Sequence, residues 1–236
     1  MRTLIWFLYF IFYLIYAIPA MYKAEKLIKQ GNVQAQRELV NFHVKKWVSS
    51  LLKIAGVTVT LQGLQNIPKD KTVLFVSNHQ GNFDIPILLS CIPSPPALLS
   101  KIEVKKLPLI RTWMSHLECV FVQRDNPRQA VSAMNDAVKV LENGRSMIIF
   151  PEGTRSRGDE LGEFKAGSFR IAAKAKTPIV PIVIDGSYKI MEANKMWIKP
   201  ANVTVKILPM VEIANLSKDE IKDLPEKIRS IIAANK

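Results

Sequence analysis

Residues 4–18, LIWFLYFIFYLIYAI, carry no charged or strongly polar side chain. A helix apolar on every face has to be covered by protein or by lipid. A membrane-spanning helix needs about 17–25 such residues. The run reaches that length only if it continues through Pro19 to Tyr22, and a proline inside a helix kinks or ends it. Three readings compete: a cleaved signal peptide, a spanning helix, and a helix that enters one leaflet and turns back. The first is disfavoured, because Arg2 is the only basic residue ahead of the run and no A-x-A site comes after it. The other two stay open.

The chain has 33 basic and 20 acidic side chains, a net charge of +13, which calls for a polyanionic partner. Residues 23–56 hold Lys23, Lys26, Lys29, Arg37, Lys45, Lys46 and Lys53 against Glu25 and Glu38. Within them Leu39, Val40, Phe42, Val44, Trp47, Val48, Leu51, Leu52 and Ile54 recur at helical spacing. A basic amphipathic helix with an aromatic on its apolar side is expected at an anionic membrane surface; the alternative is a core helix of a soluble domain. No basic segment has a base-stacking or groove-reading pattern, so anionic membrane lipid is the expected partner and nucleic acid is not. The positive-inside rule puts everything after Tyr22, and hence the domain that follows, on the cytoplasmic face of the cell membrane. Cys91 and Cys119 form no CxxC pair and read as core thiols in a reducing compartment.

Beyond residue 56, short apolar runs alternate with helical patterns. Strands are expected at 57–62, 72–76, 97–100, 119–122, 147–150, 179–184 and 203–208. Helices are expected at 84–91, 126–143, 168–176 and 217–235, the last opening on a capping-box pattern. Asn126 with Pro127 starts the clearest of these and Gly144 stops it. Such alternation predicts an α/β fold: a single domain (57–236) with a largely parallel central sheet flanked by helices. It is preceded by an N-terminal hydrophobic helix pair (1–56) that associates with membrane.

Serine-hydrolase, P-loop and zincin signatures are absent, and no Cys/His cluster has metal-ligand spacing. Three polar blocks stand where strands are expected to end. In the first, Ser77-Asn78-His79-Gln80-Gly81-Asn82-Phe83-Asp84, histidine is the side chain best suited to take a proton near neutral pH. Five positions on a helix amount to about 140°, so His79 and Asp84 would not share a helical face. They meet if His79 lies in a loop, Gly81 turns the chain, and Asp84 starts and caps the next helix. The carboxylate then orients the imidazole and stabilises its protonated form. The alternative is an Asp84 helix cap beside a turn histidine. The second block, residues 150–156 (FPEGTRS), offers Gly153 for close backbone approach and Arg155 as a bidentate fork for phosphate. The outer charges Arg157, Lys165 and Arg170 read as a solvated loop. The third block brings Lys101, Glu103, Lys105, Lys106, Arg111 and Arg124 near strand ends. His43 and His116 lack an acidic partner and read as structural or interfacial.

In this order the blocks resemble the glycerolipid acyltransferase family, in its 1-acyl-sn-glycerol-3-phosphate (PlsC-type) branch. Asn78-His79-x4-Asp84 resembles the family's NH(x)4D signature. Lys101-x-Glu103-x4-Pro108 with Arg124 is similar to its second block, and residues 150–156 to its FPEGTRS block. Phe164-Lys165-x-Gly167 and residues 179–182 resemble the family's later segments. The likeness spans roughly residues 57–210. It implies general-base catalysis by His79 and Asp84 without an acyl-enzyme. It also implies substrate binding by Lys101, Arg124, Glu152, Gly153, Thr154 and Arg155, with lysophosphatidic acid as acceptor and acyl carrier protein or a CoA thioester as donor. Neither metal nor cofactor is implied. Glu152, a carboxylate beside a phosphate site, would hold an acceptor hydroxyl or anchor Arg155. Gly81 stands where many relatives have Ser, and Arg111 where the second block often has Gly; both bear on the choice of acceptor. Another acceptor, such as glycerol 3-phosphate or a different lysophospholipid, is the rival within the class, and a non-catalytic anionic-lipid binder is the rival outside it.

Overall fold

A computed structural model describes residues 1–123 and 125–236. Helices α1 (Arg2–Tyr16), α2 (Ile18–Lys29) and α3 (Val33–Ala55) lead the chain. At about 1.5 Å per residue α1 is about 22 Å long, short of the roughly 30 Å hydrocarbon core. Among the described residues no single helix is long and apolar enough to cross a membrane; α1 and α2 qualify only together, bent by 42° at their junction. This bent unit packs along α3, and Trp6 donates its indole N–H to the Leu51 carbonyl at 3.0 Å. Asn32 caps α3 by accepting from Ala35 N–H. Gly56 ends it at φ +73°, where a β-carbon would sit 2.3 Å from the Arg2 guanidinium.

Val40, Val44, Val48, Leu51, Leu52 and Ala55 of α3 are buried against the domain. The interfacial reading of this helix is therefore corrected: α3 is a core helix, and its lysines occupy the far face. The longest run of exposed apolar side chains belongs to α1, where Leu4, Leu8, Ile11 and Phe12 are exposed, while α3 exposes Val33 and Phe42. Residues on both sides of position 56 share one hydrophobic cluster, from Trp6 and Val48 to Phe75 and Val205.

The sheet contains β1 (Val57–Gln62), β2 (Leu74–Ser77), β3 (Ala97–Lys101), β4 (Val120–Val122), β5 (Met147–Ile149), β6 (Ile179–Asp185) and β7 (Ala201–Ile207). Their spatial order is β1-β7-β6-β2-β5-β3-β4. Every neighbouring pair is parallel except β6 with β7. Strand β2 lies between β6 and β5, with Leu74 opposite both Ile179 and Met147. All four of its residues are buried, which is why they read as an unbroken apolar run rather than an alternation.

Side chains alternate across the sheet. Phe75, Ile148, Val180 and Ile182 face the side covered by α1, α3, α4 (Asp84–Cys91) and α5 (Pro108–His116). Leu74, Val76, Ile149 and Ile179 face α6 (Pro127–Glu142), α7 (Ala166–Ala175) and α8 (Lys218–Ala234). Helix α7 starts two residues earlier than expected and ends when Lys176 turns left-handed, ahead of Pro178. Both cysteines are free, and burial pushes the Cys119 thiol up to about 12. His116 is buried with its carbonyl accepting from Gln36 and its ring beside Trp113, and the carbonyl of half-buried His43 accepts from Tyr13. The parallel arrangement places the carboxyl ends of β2, β3, β5 and β6 on one edge, where ligands of open α/β sheets bind.

Candidate active site

The polar block after β2 is held before it does any chemistry. Asn78 exchanges two hydrogen bonds of 2.8 Å with the backbone of Ile184, extending the ladder to β6 by one side chain. The Gln80 amide oxygen accepts from Ser187 N–H at 3.2 Å. Between these anchors His79 stacks on Phe150, ring centroids 4.0 Å apart, and its side chain is 15% exposed.

His79 Nδ1 lies 2.6 Å from Asp84 Oδ2. That oxygen also accepts from Gly81 N–H at 2.9 Å, while Oδ1 accepts from the Ser187 hydroxyl. Asp84 is buried and is the first residue of α4, yet its side chain does not cap the helix. The expectation that it would cap the helix and orient the base together is thus corrected: the carboxylate is committed to the loop. Gly81 also has another task than the one expected. Its φ is not left-handed, and a β-carbon there would sit 2.5 Å from the Glu192 carboxylate, so glycine serves close approach rather than a turn. With Nδ1 bonded to the carboxylate, Nε2 is the ring nitrogen that can take up a proton.

The block after β5 folds against this loop. Ser156 N–H donates to His79 O at 2.8 Å and Arg157 N–H to Gln80 O at 3.1 Å. Glu152 is buried; one carboxylate oxygen accepts from His79 N–H at 2.7 Å and the other from Gly162 N–H at 3.0 Å. Burial pushes its carboxyl above the ordinary range, opposed by those two backbone N–H groups. With these bonds Glu152 fastens the two loops together, a task the resemblance did not imply; Arg155, which it was expected to anchor, is held by Asn82 and Glu192. Glu152→Gln would turn an amide N–H₂ toward one of two N–H donors. Leaving buried groups unmatched costs about 1–3 kcal/mol, and each kcal/mol lowers Tm by about 2–4 °C in a chain of this size. A thermal melt checks this; an unchanged Tm with a raised acceptor KM would make substrate binding the task of Glu152.

Gly153 adopts φ +72°, where side-chained residues are strained, and Thr154 is exposed at the turn. Arg155 donates to the Asn82 side-chain oxygen and lies 3.6 Å from Glu192 Oε1. Glu192 is only 3% exposed at its side chain, accepts from Asn82 N–H at 2.7 Å, and keeps its other oxygen buried without a partner. Lys165 is exposed, as the solvated-loop reading expects, and its Nζ lies 3.0 Å from the place a β-carbon on Gly153 would take. Lys101 is exposed at the end of β3, and Arg111 is exposed on α5. Arg124 lies outside the described residues.

Sequence reasoning missed Ser187 and Glu192. Both lie in the connection after β6, in short turns (Ser187–Lys189 and Glu192–Asn194) without a recognisable pattern. They reach Asp84 and Arg155 only because β6 neighbours β2. Beside the dyad's helix, an apolar cavity of about 450 Å³ opens between α1, α3, α4 and α5, lined by Phe10, Trp47, Phe83, Leu89, Ile110 and Met114 among others.

A family model described as Acyltransferase matches residues 58–185. A 1-acyl-sn-glycerol-3-phosphate acyltransferase of Borreliella burgdorferi is 32% identical over 181 residues, covering 77% of this chain and 72% of its own. A probable enzyme of the same name from Mycoplasma genitalium is 34% identical over 202 residues, covering 80% and 75%. The crystal structure of the 1-acyl-sn-glycerophosphate (LPA) acyltransferase PlsC from Thermotoga maritima superposes with a TM-score of 0.82 at 27% identity, over 99% of this chain and 95% of that one. The matched span runs from β1 to the end of β6 and holds the dyad and both paired loops; the chain belongs to the acyltransferase family.

Proposed function

We propose that this enzyme transfers a fatty acyl group from a thioester of acyl carrier protein or CoA to the sn-2 hydroxyl of 1-acyl-sn-glycerol 3-phosphate, forming phosphatidic acid. The observation that carries the reading is the His79–Asp84 pair at 2.6 Å, whose second ring nitrogen can take up a proton. Nε2 removes the hydroxyl proton as the oxygen attacks the thioester carbonyl carbon. Collapse of the tetrahedral species breaks the C–S bond, and the leaving thiolate recovers the proton from the imidazolium. Asp84 stabilises that imidazolium without taking the proton itself. Because the hydroxyl attacks directly, no acyl-enzyme forms.

Arg155 gives the acceptor phosphate a planar fork, with Lys165, Lys101 and Arg124 as further cations. The apolar cavity suits an acyl chain, since its lining is almost wholly hydrocarbon and aromatic. The relatives' printed names support lysophosphatidic acid as acceptor. Membrane association rests on the exposed apolar face of α1; α1 and α2 together, bent by 42°, fit a broken span or a helix that enters one leaflet and turns back. The basic residues after Tyr22 favour the cytoplasmic face.

The test is mass-detected acyl transfer with a panel of acceptors and both donor types, for the wild type and Arg155→Ala. Lysophosphatidic acid should be the best acceptor. Loss of Arg155 should raise its KM by about 10–100-fold, the size expected of a charge-assisted contact. The variant should leave uncharged acceptors as poor as before. No turnover of any lysophosphatidate would overturn the acceptor assignment.

A further inference from the structure

Lys195 and Met196 are consecutive non-glycine residues at φ +50° and +70°, a region that side-chained residues rarely occupy. Three backbone bonds hold them there: Met196 N–H to Met191 O at 3.0 Å, Trp197 N–H to Asn194 O at 2.9 Å, and Lys199 N–H to Ile190 O at 2.9 Å. Ile190, Met191 and Ile198 are buried beneath the turn. This fixed backbone presents Met196 and Trp197 to the outside, 50% and 61% exposed. Two large apolar side chains on a pinned tip call for a partner.

Two observations identify it. Ile198 N–H donates to the Thr3 hydroxyl at 2.9 Å, tying the turn to the first turn of α1. Phe7 of α1 and Met196 of the turn line the same cavity while both are exposed, so the apolar face of α1 continues across the rim onto the tip. The second observation is charge. Lys189, Lys195 and Lys199 are exposed around the tip, while the neighbouring Glu192 carboxylate is withdrawn against Asn82. An amphipathic indole ringed by lysines suits the headgroup boundary of an anionic leaflet.

We infer that the turn at residues 195–197 is a second membrane contact, set at the rim of the apolar cavity, where it seats on anionic lipid together with α1. It rests on the reading of α1 as the membrane-associating helix. The seat would hold the cavity mouth against the lipid surface, so that acyl chains pass between the two without crossing water.

The experiment uses the full chain with vesicles of phosphatidylglycerol and phosphatidylcholine, with and without brominated acyl chains. Bromolipid should quench the wild-type tryptophan emission, and Trp197→Phe should lower that quenching while binding persists. Trp6, Trp47 and Trp113 line the cavity, so the difference between wild type and Trp197→Phe is what reports on the turn. Trp197→Ser should weaken vesicle partitioning by about fivefold to tenfold, as expected for one exposed aromatic withheld from the interface. Its turnover of a water-soluble short-chain acceptor should be unchanged. Wild-type binding with quenching and partitioning unaltered in both variants would overturn this inference and leave the α1 reading standing. A wild-type chain that ignores the vesicles would overturn both.

Discussion

His79→Ala is expected to lower kcat by about 10²–10⁴-fold, the range that general-base help supplies. The neighbouring carboxylates cannot take its place: Asp84 is buried and bonded to Gly81 and Ser187, and Glu152 is held by two backbone N–H groups. The backbone bonds of residue 79, to Glu152 and from Ser156, do not involve the imidazole and should survive the substitution. Vesicle binding should therefore persist while transfer fails. The check is acyl transfer by mass spectrometry with both donor types, beside a flotation assay and a thermal melt. A variant that keeps more than about a tenth of wild-type turnover would remove His79 from the chemistry. One that keeps full function would favour a non-catalytic lipid binder.

Asp84→Asn should come close to the same loss with less disturbance of the fold. An asparagine at this position still accepts through one oxygen from Gly81 and His79, and the Ser187 hydroxyl can rotate to accept from the new amide. What disappears is the negative charge facing the imidazolium as it forms. In serine proteases the corresponding exchange costs about 10⁴-fold. Here kcat should fall by about 10²–10⁴-fold with acceptor KM little changed, which steady-state kinetics at saturating donor will show. Adding Asp84→Asn to His79→Ala should cost little more, because the carboxylate acts only through the ring. Fully additive losses would mean that Asp84 has a task independent of His79.

The bounds of α4 and the extent of α6 were legible because proline positions, apolar runs and, for α6, the Asn126 cap are local signals. Strand β2 was legible as an apolar run, but its place between β5 and β6 was not. Strand order depends on pairing between residues far apart in the chain, and the antiparallel pairing of β6 with β7 left no mark in the sequence. Helix α3 shows the same limit: its lysines and Trp47 suit a membrane surface and a domain surface equally, and only packing against α1 and α4 decides. At the site, His79, Asp84 and Arg155 were readable from residue type and spacing. Glu152 was found but its task between the loops was not, since nothing local reveals that its oxygens meet the N–H groups of residues 79 and 162. Ser187 and Glu192 carried no signal, being supplied by the tertiary fold from across the β2–β6 pair.

Among the described residues the edge strand β1 pairs with no strand but β7, residue 57 aligning with residue 201. During synthesis the N-terminal helices and β1 leave the ribosome long before β7 exists. At about 5–20 residues per second, β1 waits roughly 7–30 s for its neighbour. Throughout that interval its backbone donors and acceptors are an open template for a wrong strand. A nascent chain whose first helix has already settled on lipid keeps that strand tethered at a surface and away from other unfinished chains. Early engagement of the bilayer would then protect assembly as well as bring the finished enzyme to its substrate.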